Sequence, residues 1–421
     1  MKHASTIAIV LLAALTLLPA PAAARTIRVG VDAQDLPAAL ALAVDGDTVA
    51  LGGRTHHGGV RLERAVTLRG PGTIDGGGKG HVVEVHAAGV RLVDLAVVGS
   101  GADLMRSDAC VWFGPKARGS AASALRLERC TFGLYVHETH GVRIERCSVR
   151  GSETGLRSAR GNGIHLFDAE DTHVLDNVVT GGRDGIYVSA TEHSTIARNR
   201  MSRTRFGVHY MFSLHNVLRG NVAEDNVTGF AIMESHHIDV VGNQALRNSD
   251  HGILFRDATD SEIAHNLAEF NGEGLFFFSS VDNRVHHNRV LHNGVGAKVW
   301  AGSDRNEVAH NAFVGNRRQI FYVASSDLRW GTGGVGNHWG DYLGWDQDGD
   351  GVGDRPYRVD SFVAHLLYRF PQAGLLVRSP ALELLAMLSD KMPLWQVKTV
   401  IDERPLARPP AVAALEPTGG G

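Results

Sequence analysis

The chain has almost no excess charge of either sign. Its 42 lysines and arginines against 45 aspartates and glutamates give a net charge of -3, which leaves no basic footprint for nucleic acid and excludes DNA or RNA as the expected partner. Cysteine is scarce, with three residues, Cys110, Cys130 and Cys147, so a dense disulfide framework is ruled out and one thiol stays odd if two pair. Phosphate-cradling glycine loops of the nucleotide-binding kind are missing, which argues against an ATPase. Long apolar runs are missing too beyond residue 18, so no membrane span is expected in the body of the chain.

The first residues form the one exception. Lys2 and His3, the apolar stretch Ile7 to Leu18 and the run Pro19-Ala20-Pro21-Ala22-Ala23-Ala24 before Arg25 read as a secretory signal over 1–24, cleaved after Ala24. Export to the periplasm as a soluble protein follows, with the membrane reached only through a partner.

What is abundant is glycine, 50 residues, and much of it recurs in step. Gly163, Gly185, Gly207, Gly229, Gly252, Gly274 and Gly296 are followed by Asn177, Asn199, Asn221, Asn243, Asn266, Asn288 and Asn311 at a period of 22 or 23 residues. Each glycine precedes an alternating run such as Ile164-His165-Leu166-Phe167 or Ile186-Tyr187-Val188-Ser189, the pattern of a strand. A repeat of that length with short strands and no amphipathic helix predicts an all-β fold, a right-handed parallel β-helix over 25–335. The Leu-x-x-Leu-x-Leu signature of leucine-rich repeats is absent.

The period also sorts side chains by direction. The first and third residues after each glycine, such as Val208 and Tyr210 or Phe230 and Ile232, are expected inside, and the second and fourth outside. The asparagines are expected to stack inward, coil on coil, with their amides bonding each other and the bend. Cys130 and Cys147 end the similar strings Leu125-Arg126-Leu127-Glu128-Arg129-Cys130 and Val142-Arg143-Ile144-Glu145-Arg146-Cys147. Both are therefore expected at the asparagine position of successive coils as buried thiols. The interval from Gly133 to Gly163 is one coil plus eight residues, and the surplus near Gly151 to Gly161 is expected as an outward loop. A capping turn is expected through Asp35 to Val44.

Outside the repeats, Asp346, Asp348, Asp350 and Asp354 with Gly351 place oxygen ligands at positions 1, 3, 5 and 9 of a calcium loop, the Val352 carbonyl taking position 7. Position 12 is Tyr357 instead of glutamate, so Asp341 or Asp360 is a candidate to complete the shell. Residues 336–360 thus form an Asp-rich calcium-type loop, and 361–421, with Leu382, Leu385, Ala386, Leu388 and Met392 at helical spacing, form a C-terminal extension with short helices.

In the outward columns stand Tyr135, His165, Tyr187 and His209, then His137, Phe167, Ser189, Met211 and Met233. Coils lie about 4.8 Å apart and same-face neighbours about 6.8 Å apart, so His209, Met211 and Met233 should converge. An imidazole and two thioethers make a soft site suited to copper, above all Cu(I), with Glu234, His236 and His237 as candidate outer groups. The alternative is an apolar patch for a partner. His265, His287 and His310 precede asparagines on consecutive coils and are expected to stack at one bend beside His286, a second metal candidate. A polysaccharide lyase or epimerase acting on acidic sugars is the competing class. The columns offer Arg256 and Lys298 but no stacked carboxylate pair, which disfavours hydrolysis.

These carbohydrate-binding and sugar-hydrolase-like repeats, joined to Asn337-His338-Trp339-Gly340-Asp341-Tyr342 and to the acidic string ending Asp354-Arg355-Pro356-Tyr357, resemble the NosD family of periplasmic copper-binding proteins that mature nitrous oxide reductase. The resemblance implies a non-catalytic protein that docks on a NosF/NosY-type ABC transporter through the C-terminal extension. It also implies dealings with a copper chaperone and with nitrous oxide reductase, whose copper-sulfide centre is assembled. It assigns no metal ligand by position, and His209, Met211 and Met233 rest on the columns alone.

Overall fold

A computed structural model describes residues 24–300, 302–322, 330–358, 370, 372, 379–390 and 400–410. The expected signal peptide lies outside the described residues, as does most of the C-terminal extension, Asp360, Met392 and the side chain of Ala386 included. Short strands wind into a parallel β-helix of about 14 coils. Three parallel sheets run its length: a first of 13 strands from Thr26–Arg28 to Glu307–Ala309, a second of 13 from Thr55–His57 to His338–Trp339, and a third of 12 from Val60–Leu62 to Arg318–Tyr322. One coil reads Val217–Arg219, Val222–Glu224, Thr228–Met233, one strand to each sheet.

The apolar alternation works as the period implies. Ile164, Leu166, Val208, Tyr210, Phe230 and Ile232 are fully buried and stack into one continuous core. The repeated glycines serve packing, not bending. A Cβ on Gly207 would lie 2.6 Å from the Gly229 carbonyl and 2.7 Å from the Ala223 Cβ, so any larger residue would force two sheets apart.

Asparagine fixes the register. At the corner between the first and second sheets, Asn243 donates its side-chain amide to the Asn266 Oδ1 (3.1 Å) and the Leu218 carbonyl (2.8 Å), and accepts from the backbone and side-chain amides of Asn221 (2.9 and 3.0 Å). The ladder runs from Asn177 through Asn311 to Asn337. A second ladder, at the corner leading into the third sheet, joins Asn226, Asn248, Asn271, Asn293 and Asn316. A third corner uses Ser194 with Asn216, and Ser261 with Asn283 and Asn306. The second series keeps the same 22- or 23-residue step as the first, whereas the third is broken in the sequence because serine shares its positions with asparagine.

The ends are sealed. Asp35 caps the helix Leu36–Leu42 by accepting from the Ala38 amide at 2.8 Å, and Leu36 and Ala39 close the first coil. At the far end the terminal rung of the asparagine ladder is a carboxylate: Asp402 accepts from the Asn337 amide (2.7 Å) and from the Trp339 indole (2.9 Å). Trp339 is sandwiched between Phe313 and Tyr357, with ring centroids 4.7 and 4.4 Å away. Residues 152–160 leave the coil as an exposed loop, tied by Arg160 to the Glu153 and Gly155 carbonyls, as the surplus length implies.

The cysteines differ from expectation. Cys110 and Cys130 form a disulfide, and Cys147 alone remains a buried thiol, its pKa pushed up to about 12 by burial. The two similar strings are one strand out of phase: Arg143–Glu145 lies in the first sheet, Arg126–Glu128 in the second. Cys147 does hold the ladder position, its amide donating to the Asn177 Oδ1 at 2.9 Å. Cys130 sits one corner further on, against the strand Ala109–Phe113.

Asn243→Ala should destabilise the fold by about 2–5 kcal/mol, because it strands the Asn221 amides in the interior and takes the side-chain donor from the Leu218 carbonyl. Asp176→Ala, which removes an exposed bridge to Arg198 at the same corner, should cost under about 1 kcal/mol. Equal shifts in urea unfolding midpoint for the two variants would refute the ladder as the source of register.

Candidate functional site

The outer face of the third sheet carries a continuous column in strict register: Tyr135 opposite His165, His165 opposite Tyr187, Tyr187 opposite His209, and His209 opposite Ala231. Ring centroids along it are 4.3, 4.7 and 4.8 Å apart. The neighbouring column runs His137, Phe167, Ser189, Met211, Met233 and Arg256. Both columns therefore lie where the period places them. Met211 and Met233 face each other on adjacent strands, both half-buried, with His209 two residues before Met211 on the same strand face.

His209 is far more enclosed than an outward position suggests, at 6% exposure. Phe206 covers it at 4.6 Å and Tyr187 flanks it. Its Nδ1 lies 3.1 Å from the carboxylate of Asp184, itself fully buried and held by a two-pronged contact from Arg205 at 2.9 and 2.6 Å. Burial works against the Asp184 charge, but the hydrogen bonds from His209 and Arg205 outweigh it and lower its pKa. Burial in turn lowers the pKa of His209, with Asp184 opposing, so the ring is neutral near pH 7. Its other nitrogen, Nε2, is buried with no hydrogen-bond partner. A neutral imidazole, oriented from behind by a carboxylate and presenting an unpaired lone pair, is the arrangement a metal-ligating histidine needs.

Asp184 and Arg205 were not singled out by the sequence. Asp184 opens the strand Asp184–Ser189, and Arg205 immediately precedes the strand Phe206–Met211. Two coils must be laid side by side before they meet. His236 and His237, the expected outer groups, belong to the next bend: His236 Nδ1 contacts the Thr259 hydroxyl at 2.7 Å and His237 stacks on His215 at 4.7 Å. Glu234 occupies a bend with φ of 45°.

Further along the same face, Lys298 bonds Glu273 at 2.7 Å and lies over the rings of Phe276 and Trp300, while His251 lies 2.9 Å from Glu273. The face thus passes from aromatic and imidazole rings through two methionines to phenylalanines bearing a compensated charge.

In the acidic loop the carboxylates of Asp346, Asp348 and Asp350 lie within 4.8 Å of one another. Asp346 Oδ2 accepts from the Gly351 amide at 3.0 Å, while its Oδ1 is buried without a partner. Asp350 contacts Arg404 at 3.1 Å, and Val352 pairs with Leu406 across an antiparallel bridge. Asp354 turns one oxygen to the Gln347 amide at 2.6 Å. Asp341 is engaged elsewhere, accepting from the Tyr357 hydroxyl (3.0 Å) and from Gln319 (3.2 Å).

A sequence model of the family described as periplasmic copper-binding protein (NosD) matches residues 146–344. A protein of Pseudomonas aeruginosa named probable ABC transporter binding protein NosD is 36% identical over 389 residues, covering 88% of this chain and 91% of that protein. Its namesake from Stutzerimonas stutzeri is 36% identical over 385 residues, covering 86% and 88%. Among solved structures, the A-module of the Azotobacter vinelandii mannuronan C-5 epimerase AlgE4 superposes with a TM-score of 0.52 at 16% identity, over 72% of this chain and all of that one. That likeness is one of fold alone.

Burial lowers the pKa of His165 to about 3, and its Nε2 is sealed without a partner. The unfolded chain takes up a proton below about 6.5 and the folded chain does not. Stability should therefore be full above that pH and fall as pH drops from about 6.5 towards 3. His165→Phe, isosteric with its aromatic neighbours Tyr135 and Tyr187, should flatten that decline in unfolding midpoint. Parallel pH profiles for the two proteins would rule the assignment out.

Proposed function

The chain belongs to the NosD family, and from that premise we propose that it is a non-enzymatic periplasmic maturation factor for nitrous oxide reductase that holds Cu(I) on the third sheet and works on an ABC transporter. The observation that carries the reading is His209, locked by Asp184 through Nδ1 and presenting an unpaired buried Nε2 on the strand face that bears Met211, with Met233 opposite. His209, Met211 and Met233 would hold the ion as a soft N,S,S set, which matches Cu(I) better than any hard or borderline metal. The ion is cargo, received from a copper chaperone and passed to nitrous oxide reductase for its copper-sulfide centre. The chain's own task is to keep the imidazole neutral and oriented, and to shield it from water with the rings of Phe206 and Tyr187.

Docking on a NosF/NosY-type transporter falls to the C-terminal extension, which places the protein at the membrane without entering it. No helix among the described residues is long and apolar enough to cross a membrane. The helix Pro380–Asp390 leaves Leu384, Leu385 and Leu388 exposed while Leu382 is buried, an apolar surface a membrane partner would cover. The relatives named probable ABC transporter binding proteins support an ABC transporter as the partner.

A structural calcium ion is proposed in the loop, held by Asp346, Asp348, Asp350, the Val352 carbonyl and Asp354. Three carboxylates this close, one oxygen unpaired, favour a cation among them.

The same Asp184–His209 pair beside Tyr187 would also serve as an acid–base unit in a polysaccharide lyase or epimerase, and one set of experiments separates the two. In Cu(I) competition titration the native chain should bind one tightly held ion at this face. The triple variant His209→Ala, Met211→Ala, Met233→Ala should lose it with the coils intact, and Asp184→Asn should weaken it about 10- to 100-fold. Undiminished affinity in the triple variant removes the site, and release of unsaturated sugars from polyuronate makes the protein an enzyme. For the loop, chelation should open the segment after residue 337 to protease and spare the coils. An unchanged digestion pattern would count against bound calcium.

A further inference from the structure

A second cluster of ligating side chains lies on another corner of the solenoid, between the first and second sheets. His265, His287 and His310 each sit immediately before a ladder asparagine, with φ of 57°, 55° and 55°. The buried amides of Asn266, Asn288 and Asn311 therefore pin their Cα positions one above another. The rings stack at 5.1 Å from His265 to His287 and again from His287 to His310. Stacking alone would leave a decorative column, as at His193, His215 and His237 on a different bend.

His286 makes the difference. It ends the strand Arg284–His286 and is paired in register with Ala264 below and Ala309 above, so two methyl groups leave its ring free to turn toward the column. It meets His287 edge-on at 90°, with the two Nδ1 atoms 2.9 Å apart, and stands at 88° to His265. One ligating nitrogen from each of His265, His286 and His287 falls within 4.8 Å of the others. Behind His286, the Glu262 carboxylate lies 3.5 Å from Nε2 and is itself held by Arg284 at 2.6 Å. A ligating imidazole takes the same kind of carboxylate support at its remote nitrogen.

We propose that His265, His286 and His287 form a three-imidazole site for a borderline divalent ion, Cu2+ or Zn2+, separate from the thioether site and differing from it in ligand chemistry. Three imidazole nitrogens with an open fourth position suit these ions, and sulfur-free ligation gives no preference for Cu(I). The half-buried rings leave one side of the cluster to solvent, so an ion enters without opening a coil. The column above it, His310, fills no ligand position.

The test uses the untagged, chelator-stripped full chain, titrated with Zn2+ and with Cu2+ against a competing chelator. One equivalent of either ion should bind, and the Cu2+ form should show nitrogen hyperfine coupling in its electron paramagnetic resonance spectrum. His286→Phe keeps a ring against the column and removes its nitrogens; it should lower divalent affinity roughly tenfold or more. The double variant His265→Asn, His287→Asn should abolish divalent binding. Cu(I) affinity should stay at the native value in both, and divalent affinity should stay native in the variant lacking His209, Met211 and Met233. Unchanged divalent affinity in His286→Phe and in the double variant overturns the proposal, as does a Cu2+ spectrum without nitrogen coupling.

Discussion

The buried amide ladder is the constraint on which the rest depends. Each rung joins a side-chain oxygen of one coil to both the backbone and the side-chain amide of the coil before. A coil cannot slip by even one residue without leaving several interior polar groups unpaired. The glycine column enforces the same register by sterics, since the carbonyl of the next coil occupies the space of a side chain. Together they turn a flexible repeat into a wall on which residues 21 or 25 positions apart become fixed neighbours.

That rigidity is what allows uncommon electrostatics outside the core. A carboxylate as buried as Asp184 is tolerable only because Arg205 and His209 are delivered to it from the following coil at fixed geometry. Its presence in turn settles which nitrogen of His209 is engaged and which is left over. The far end follows the same logic. Asp402 replaces an asparagine at the last rung, where the ladder has no following coil and a returning segment must supply the acceptor.

Much of this was legible beforehand. The 22- or 23-residue step, the inward alternation around residues such as Val208 and Tyr210, and the columns ending in Met211 and Met233 all follow from a period of two on a repeated coil. Cys130 departs from the asparagine position because Leu125 to Cys130 and Val142 to Cys147 look alike while lying on different sheets, and a string of six residues carries no label for its sheet. The third ladder is hidden because serine alternates with asparagine there, accepting the same bond with a different side chain. Similarity of hydrogen-bonding role is not similarity of letter.

By itself, then, the sequence determined the architecture and the facing of its side chains, because periodicity is a local property that survives without coordinates. Only the tertiary structure decided depth, pairing and orientation. His209 is sealed and not exposed, its partner is Asp184 and not Glu234, and His286 turns toward His287 because alanines flank it. Those outcomes depend on what lies one coil above and below, and that neighbourhood exists only once the chain has wound around and closed upon itself.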